Sequence, residues 1–158
     1  MNKKEHIING VLIGIGVGVL LSPTGDKWMV HSVFSVAIPV TLGALVPDID
    51  TEFGKHRKTL HNVFVLAVFA AFPFVYDNLQ YVWIGVLTHF VLDYLGSKRG
   101  IALFYPLSTD EWNSPFGVKV TNRFASIVTI LVTVFELTIG YFVLIGSTVA
   151  GATLPLIG

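Results

Sequence analysis

A chain of 158 residues that is 53% hydrophobic and only 13% charged, with a mean hydropathy of +0.73, lies outside the range of water-soluble domains and reads as an all-α, polytopic bundle of transmembrane helices forming one domain. Its 10 Lys and Arg balance its 10 Asp and Glu, so bulk electrostatics gives no basis for a nucleic-acid partner or an acidic one. The absence of cysteine removes thiolate ligands and disulfides.

A spanning helix needs about 20 largely apolar residues, and five segments approach that: 7–21, 28–46, 63–76, 81–95 and 124–145. The first follows Lys3 and Lys4 as a secretory leader would, but no small-x-small cleavage pattern comes after it, so it reads as a retained helix. Its Gly14, Gly16 and Gly18 are packing residues that let backbones approach, not a nucleotide loop. His31, near the outer end of the second segment, reads as an ordinary hydrogen-bonded side chain. The third and fourth segments are short, so each is either a crossing or half of a partly buried pair that lines a cavity. The fifth is rich in Val, Ile, Thr and Phe and closes the bundle; Glu136 falls near its middle, where a carboxylate must be protonated, paired or hydrated. Trp28, Tyr76, Tyr81 and Trp83 read as interface aromatics. Of the two polar loops, 47–62 and 96–123, the longer contains Trp112 and two prolines and is expected to form a lid or interfacial cap. The uncharged tail from Ser147 is expected to fray.

Basic residues favour the cytoplasmic side of a membrane. With the N-terminus inside, Lys3, Lys4, Lys55, Arg57, Lys58, Lys98, Arg99, Lys119 and Arg123 all fall on inner segments, and Lys27 alone falls outside. The expected topology is a multi-pass protein of the cell membrane, N-terminus in and C-terminus out.

That topology brings ligand-type residues to one depth. His6 sits at the inner end of the first span, Asp48 and Asp50 just past the inner end of the second, and His56 and His61 before the third. Asp93 lies near the inner end of the fourth, with His89 one helical turn deeper on the same face. Seven candidate metal ligands thus converge from four separated segments. Imidazole and carboxylate without thiolate suit zinc first, with manganese, iron or nickel also compatible. More than four ligands leave room for one ion or two.

These residues also carry a family likeness. The early histidine at 6, LVPDID at 45–50, HRKTLH at 56–61 and the Gly85, His89 and Asp93 pattern of GVLTHFVLD resemble the YdjM-like membrane proteins, regarded as metal-dependent hydrolases. The likeness extends from His6 to about Pro106. The family's His-Arg-Gly-x-Thr-His-Ser reads here as His56, Arg57, Lys58, Thr59, Leu60, His61 and Asn62, and Thr51 stands where a histidine often follows Asp-x-Asp. The resemblance implies retained metal binding.

The resulting expectation is a membrane-embedded metallohydrolase that cleaves an ester, a phosphoester foremost, of a lipid or other amphiphile at the cytoplasmic leaflet. Asp50 would take a proton if it does not ligate, and Arg57 would offset charge developing on the substrate oxygens. The alternative is a non-catalytic membrane protein with a structural metal, presenting its cytoplasmic loops to a partner. A proton-relay transporter through His89, Asp93 and Glu136 ranks last, because the outer halves of the spans offer no continuous polar path.

Overall fold

In the computed structural model, which describes residues 1–76, 79–119 and 121–149, side-chain caps set where the first helices begin. The Asn2 side chain accepts the Glu5 N–H at 3.1 Å and starts α1, Lys3–Leu21. Asp26 accepts the N–H groups of Trp28 at 2.9 Å and Met29 at 3.4 Å and starts α2, Lys27–Leu45. Each cap satisfies donors that the first helical turn leaves without partners. Past α2 the chain tightens into a 3-10 turn at Pro47–Ile49 and a single turn of helix, α3, Asp50–Phe53. Asn62 caps α4, Val63–Ala70, by accepting the Val65 N–H at 3.1 Å; α5, Val82–Gly96, and α6, Ala125–Val149, complete the bundle. Among the described residues there is no strand, only isolated bridges Ser97 to Val118 and Ile101 to Trp112, which pin the long loop between α5 and α6 against itself. The tail expected to fray falls, beyond residue 149, outside the described residues.

Three helical stretches, Lys3–Leu21, Lys27–Phe53 and Ala125–Ser147, are long and apolar enough to cross a membrane. The apolar helices Val63–Phe74 and Val82–Gly96 are shorter; at 1.5 Å per residue they reach roughly 18 and 22 Å, against a hydrocarbon core of about 30 Å. Phe34, Ile38, Leu42, Leu131, Val134 and Phe142 on the long helices are exposed, an apolar exterior that suits lipid rather than water.

Small residues let the helices touch. A Cβ on Gly14 would lie 2.4 Å from the Ala37 Cα, so α1 and α2 pack backbone to backbone there, whereas Gly16 faces Leu137 of α6. A Cβ on Gly85 would lie 2.0 Å from the Val40 carbonyl oxygen. α5 therefore lies directly on α2, with Tyr81 packed beside Val36 and Val40 and His89 beside Ala44. This order makes the two helices parallel and starts α5 partway down α2. Tyr81 is consequently buried, not at an interface as expected, because it enters the bundle on α2; Trp28 and Tyr76 are exposed.

Candidate metal centre

The lip of the site forms where α2 ends. The turn at Pro47 and α3 bring Asp50 into a fully buried position, and the loop after it folds back on the same carboxylate. That return is a tight turn in which the Lys58 and Thr59 N–H groups bond the Lys55 carbonyl at 3.0 Å and Arg57 adopts a left-handed backbone, φ 66°. As a result His56 Nδ1 lies 3.0 Å from Asp50 Oδ1, His61 Nδ1 lies 3.0 Å from Asp50 Oδ2, and the Leu60 N–H donates to Oδ2 at 3.3 Å. An ionised carboxylate only accepts, so both Nδ1 atoms carry hydrogen, and in the neutral imidazole both Nε2 atoms present lone pairs.

His89 has the same tautomer for a different reason. Its Nδ1 lies 2.7 Å from the Ala44 carbonyl oxygen, which also only accepts, so its Nε2 is bare. With both imidazoles neutral, the Nε2 atoms of His61 and His89 face each other at 3.0 Å lone pair to lone pair. Two opposed lone pairs repel unless a cation or a proton sits between. With Zn–N bonds of about 2.0–2.1 Å, a 3.0 Å edge subtends about 95° at an ion, close to a coordination angle.

Oxygen atoms surround the same point. Asp93 Oδ2 lies 3.7 Å from His61 Nε2 and 3.9 Å from His89 Nε2, and Asp48 Oδ1 lies 3.8 Å from His89 Nε2. The His6 ring stacks on that of His89 with centroids 3.6 Å apart and planes within 9°, and its Nε2 lies 3.4 Å from Asp93 Oδ1. Both ring nitrogens of His6 and Asp93 Oδ2 are buried with no hydrogen-bond partner among the described residues. Buried polar atoms without partners are costly, and a divalent cation is what this donor set fits. Six residues form two adjoining triads, His6, His89 and Asp93, and Asp48, His56 and His61, with ligand atoms of each within 4.8 Å of one another.

All seven residues expected to ligate are therefore brought together, but Asp50 and Arg57 hold stations other than those expected. Both Asp50 oxygens are taken by imidazole Nδ1 atoms, which places it behind the ligand atoms as an orienting group and not as a ligand or a proton acceptor facing substrate. Arg57 is buried, its Nη2 3.3 Å from Asp93 Oδ1 and its Nη1 on the carbonyls of Arg99 and Gly100. It anchors Asp93, which the α-ammonium of Met1 also contacts, and does not project toward a substrate. The Ala44 carbonyl is a participant that no side-chain pattern could reveal. His31 lies outside the cluster, exposed, with Nδ1 3.5 Å from Ser35 Oγ. The approach is from one side, since the His56 and Asp48 side chains are 33% and 10% exposed while those of His6, His61 and His89 are fully buried.

A family model described as YdjM inner membrane protein matches residues 1–156. The chain belongs to this family. No curated protein and no solved structure matches it. Family membership and the three long apolar helices together make it a membrane protein, and its His and Asp groups are arranged as could hold a metal ion.

Carboxylate–histidine–metal relays fix both the tautomer and the direction of the ligand, and removing the outer partner typically costs about 10–100-fold in metal affinity. Asp50→Asn is expected to weaken divalent-metal binding by that factor in a calorimetric titration, with the protein still folded. Unchanged affinity would show that His56 and His61 are held by something other than Asp50.

Proposed function

We propose that this protein is a membrane-embedded metal-dependent hydrolase acting on an ester, a phosphoester foremost, of a lipid or other amphiphile at the cytoplasmic leaflet. The observation that carries it is the opposed pair of bare Nε2 atoms of His61 and His89, ringed by carboxylates and placed at the helix ends. One or two divalent ions fit the two triads, zinc first, with manganese, iron and nickel compatible with the same nitrogen and oxygen donors. When bound, such an ion would lower the pKa of its water toward about 7 and so supply a nucleophile at neutral pH. The protein's own residues do the rest. Asp50 and the Ala44 carbonyl aim the imidazoles, Arg57 holds Asp93, and the gap at His56 and Asp48 admits the substrate. The exposed Lys55, Lys98 and Arg99 beside it suit an anionic headgroup.

The topology that goes with this reading has the N-terminus inside and the C-terminus outside, the orientation that nine of the ten basic residues favour. α4 and α5 form a re-entrant pair in it, entering and leaving on the cytoplasmic side. Three crossings plus such a pair have the same parity as five crossings, so the placement of the termini does not depend on which holds.

The test is metal analysis of the purified protein joined to phosphate release from short-chain phospholipids presented in micelles. Stoichiometric metal and turnover that chelation abolishes are expected; protein with no stoichiometric metal sinks the proposal. The burial of His6, His61, His89 and Asp93 favours one second reading, a structural ion closed on all sides. Stoichiometric metal with no exchangeable water in its coordination shell would select it.

A further inference from the structure

A second polar cluster lies one turn deeper in the bundle and contains no metal-ligand set. Asn9 follows His6 by three residues on α1, Thr88 precedes His89 on α5, and Glu136 and Thr133 come from α6. Thr88 Oγ1 lies 2.6 Å from Asn9 Oδ1 and 2.6 Å from Glu136 Oε1. Asn9 Nδ2 lies 2.8 Å from Glu136 Oε2 and 2.9 Å from Thr133 Oγ1. The Thr133 hydroxyl in turn donates to the Thr129 carbonyl at 2.8 Å.

Counting hydrogens decides the state of the carboxyl. Two oxygen–oxygen contacts of 2.6 Å meet at Thr88 Oγ1, and a hydroxyl has one hydrogen to give. Asn9 Oδ1 has none, so the second hydrogen belongs to Glu136 Oε1. Amide oxygen and nitrogen are interchangeable on shape alone, so the reversed Asn9 must also be considered. Its oxygen would then face Glu136 Oε2 at 2.8 Å, and this contact too requires a hydrogen on Glu136. It would also take the Thr133 hydrogen away from the Thr129 carbonyl. Either orientation needs one proton on Glu136, and the first satisfies every group.

We propose that Glu136 is carried as a neutral carboxylic acid in a closed ring with Asn9 and Thr88, and that this ring is a positioning device fixing the depth of α1 against α5. The consequence is felt next door, where the His6 ring lies flat on that of His89. A neutral acid is also the form compatible with the apolar cavity of about 300 Å³ that Thr88 and Glu136 adjoin, walled by Ile13, Val17, Ile84 and Leu87.

The test uses the full chain reconstituted in liposomes. The infrared spectrum of the wild type is expected to contain the C=O band of a protonated carboxyl, and Glu136→Gln is expected to lose it. Because a Gln amide can donate to Thr88 and accept from Asn9, Glu136→Gln should unfold at the wild-type temperature and bind zinc with the wild-type affinity, whereas Glu136→Leu and Thr88→Val should unfold earlier. A spectrum without a band assignable to Glu136, or a Gln variant as unstable as the Leu variant, overturns the proposal. Neither the spectrum nor the unfolding temperature requires a metal, so the ring is tested even if the protein binds none.

Discussion

His61→Ala and His89→Ala are each expected to reduce bound divalent metal from stoichiometric to none, measured by elemental analysis of protein purified in detergent. The expectation follows from the 3.0 Å edge between the two Nε2 atoms, because each variant removes one end of the edge on which an ion would sit. The loss should exceed the roughly 10–100-fold that removal of an orienting partner costs. The two variants should differ in stability. His89→Ala also strips the hydrogen bond from the Ala44 carbonyl, 2.7 Å away in the wild type, and an acceptor left unsatisfied in the bundle costs about 1–3 kcal/mol. His61→Ala frees one oxygen of Asp50, which keeps the Leu60 N–H and His56 as partners. Metal retained by either variant would show that the facing nitrogens do not share an ion.

Much of this centre was legible before any coordinates. That His6, Asp48, His61 and Asp93 share one end of the bundle follows from span order alone, since lipid forces the ends of apolar runs to the surface. The four-residue step from His89 to Asp93 puts them on one helix face. The two residues whose stations were misjudged, Asp50 and Arg57, depend on the loop that joins them. Sequence shows seven ionisable side chains from position 48 to position 58 but not that Arg57 takes a left-handed backbone, and that turn is what returns His56 to Asp50 and sends the guanidinium inward. Hydropathy likewise reports how long an apolar run is and not where it starts in depth. Segment 81–95 therefore fits, from its sequence, either a short crossing or half of a partly buried pair, while the packing of Tyr81 in one cluster with Val36 and Val40 places its start partway along α2. Asn9 and Thr88 belong to no ligand motif and stand as single polar residues in apolar helices. Their signal was position: each neighbours a histidine of the cluster, and both belong to the depth at which Glu136 required a partner.

Arg57→Met is expected to destabilise the metal-free protein by about 1–3 kcal/mol, the cost of buried acceptors left without a donor and less than that of a fully orphaned buried charge, because the Met1 α-ammonium stays on Asp93. Arg57 is 3% exposed and holds Asp93 Oδ1 at 3.3 Å. Met fills the space of the stem but leaves the carboxylate, and the carbonyls of Arg99 and Gly100, without its guanidinium. A divalent cation on the other oxygen of Asp93 should compensate part of the loss. Binding to the native state alone stabilises by RT ln(1 + [L]/Kd), about 2.7 kcal/mol when the ligand is at 100 times its Kd. Because the variant's Asp93 no longer shares its charge with Arg57, zinc should raise the variant's unfolding temperature by more than it raises that of the wild type. Equal increments in the two proteins would mean that Arg57 and the cation do not meet at Asp93. A different pattern would restore the direct role: if Arg57 gripped substrate, Arg57→Met would lower turnover with stability and its response to zinc unchanged. The burial of the guanidinium, 3% exposed and bonded to a carboxylate and two carbonyls, argues for the first pattern, because a charge turned into the protein is not presented to an incoming phosphoester.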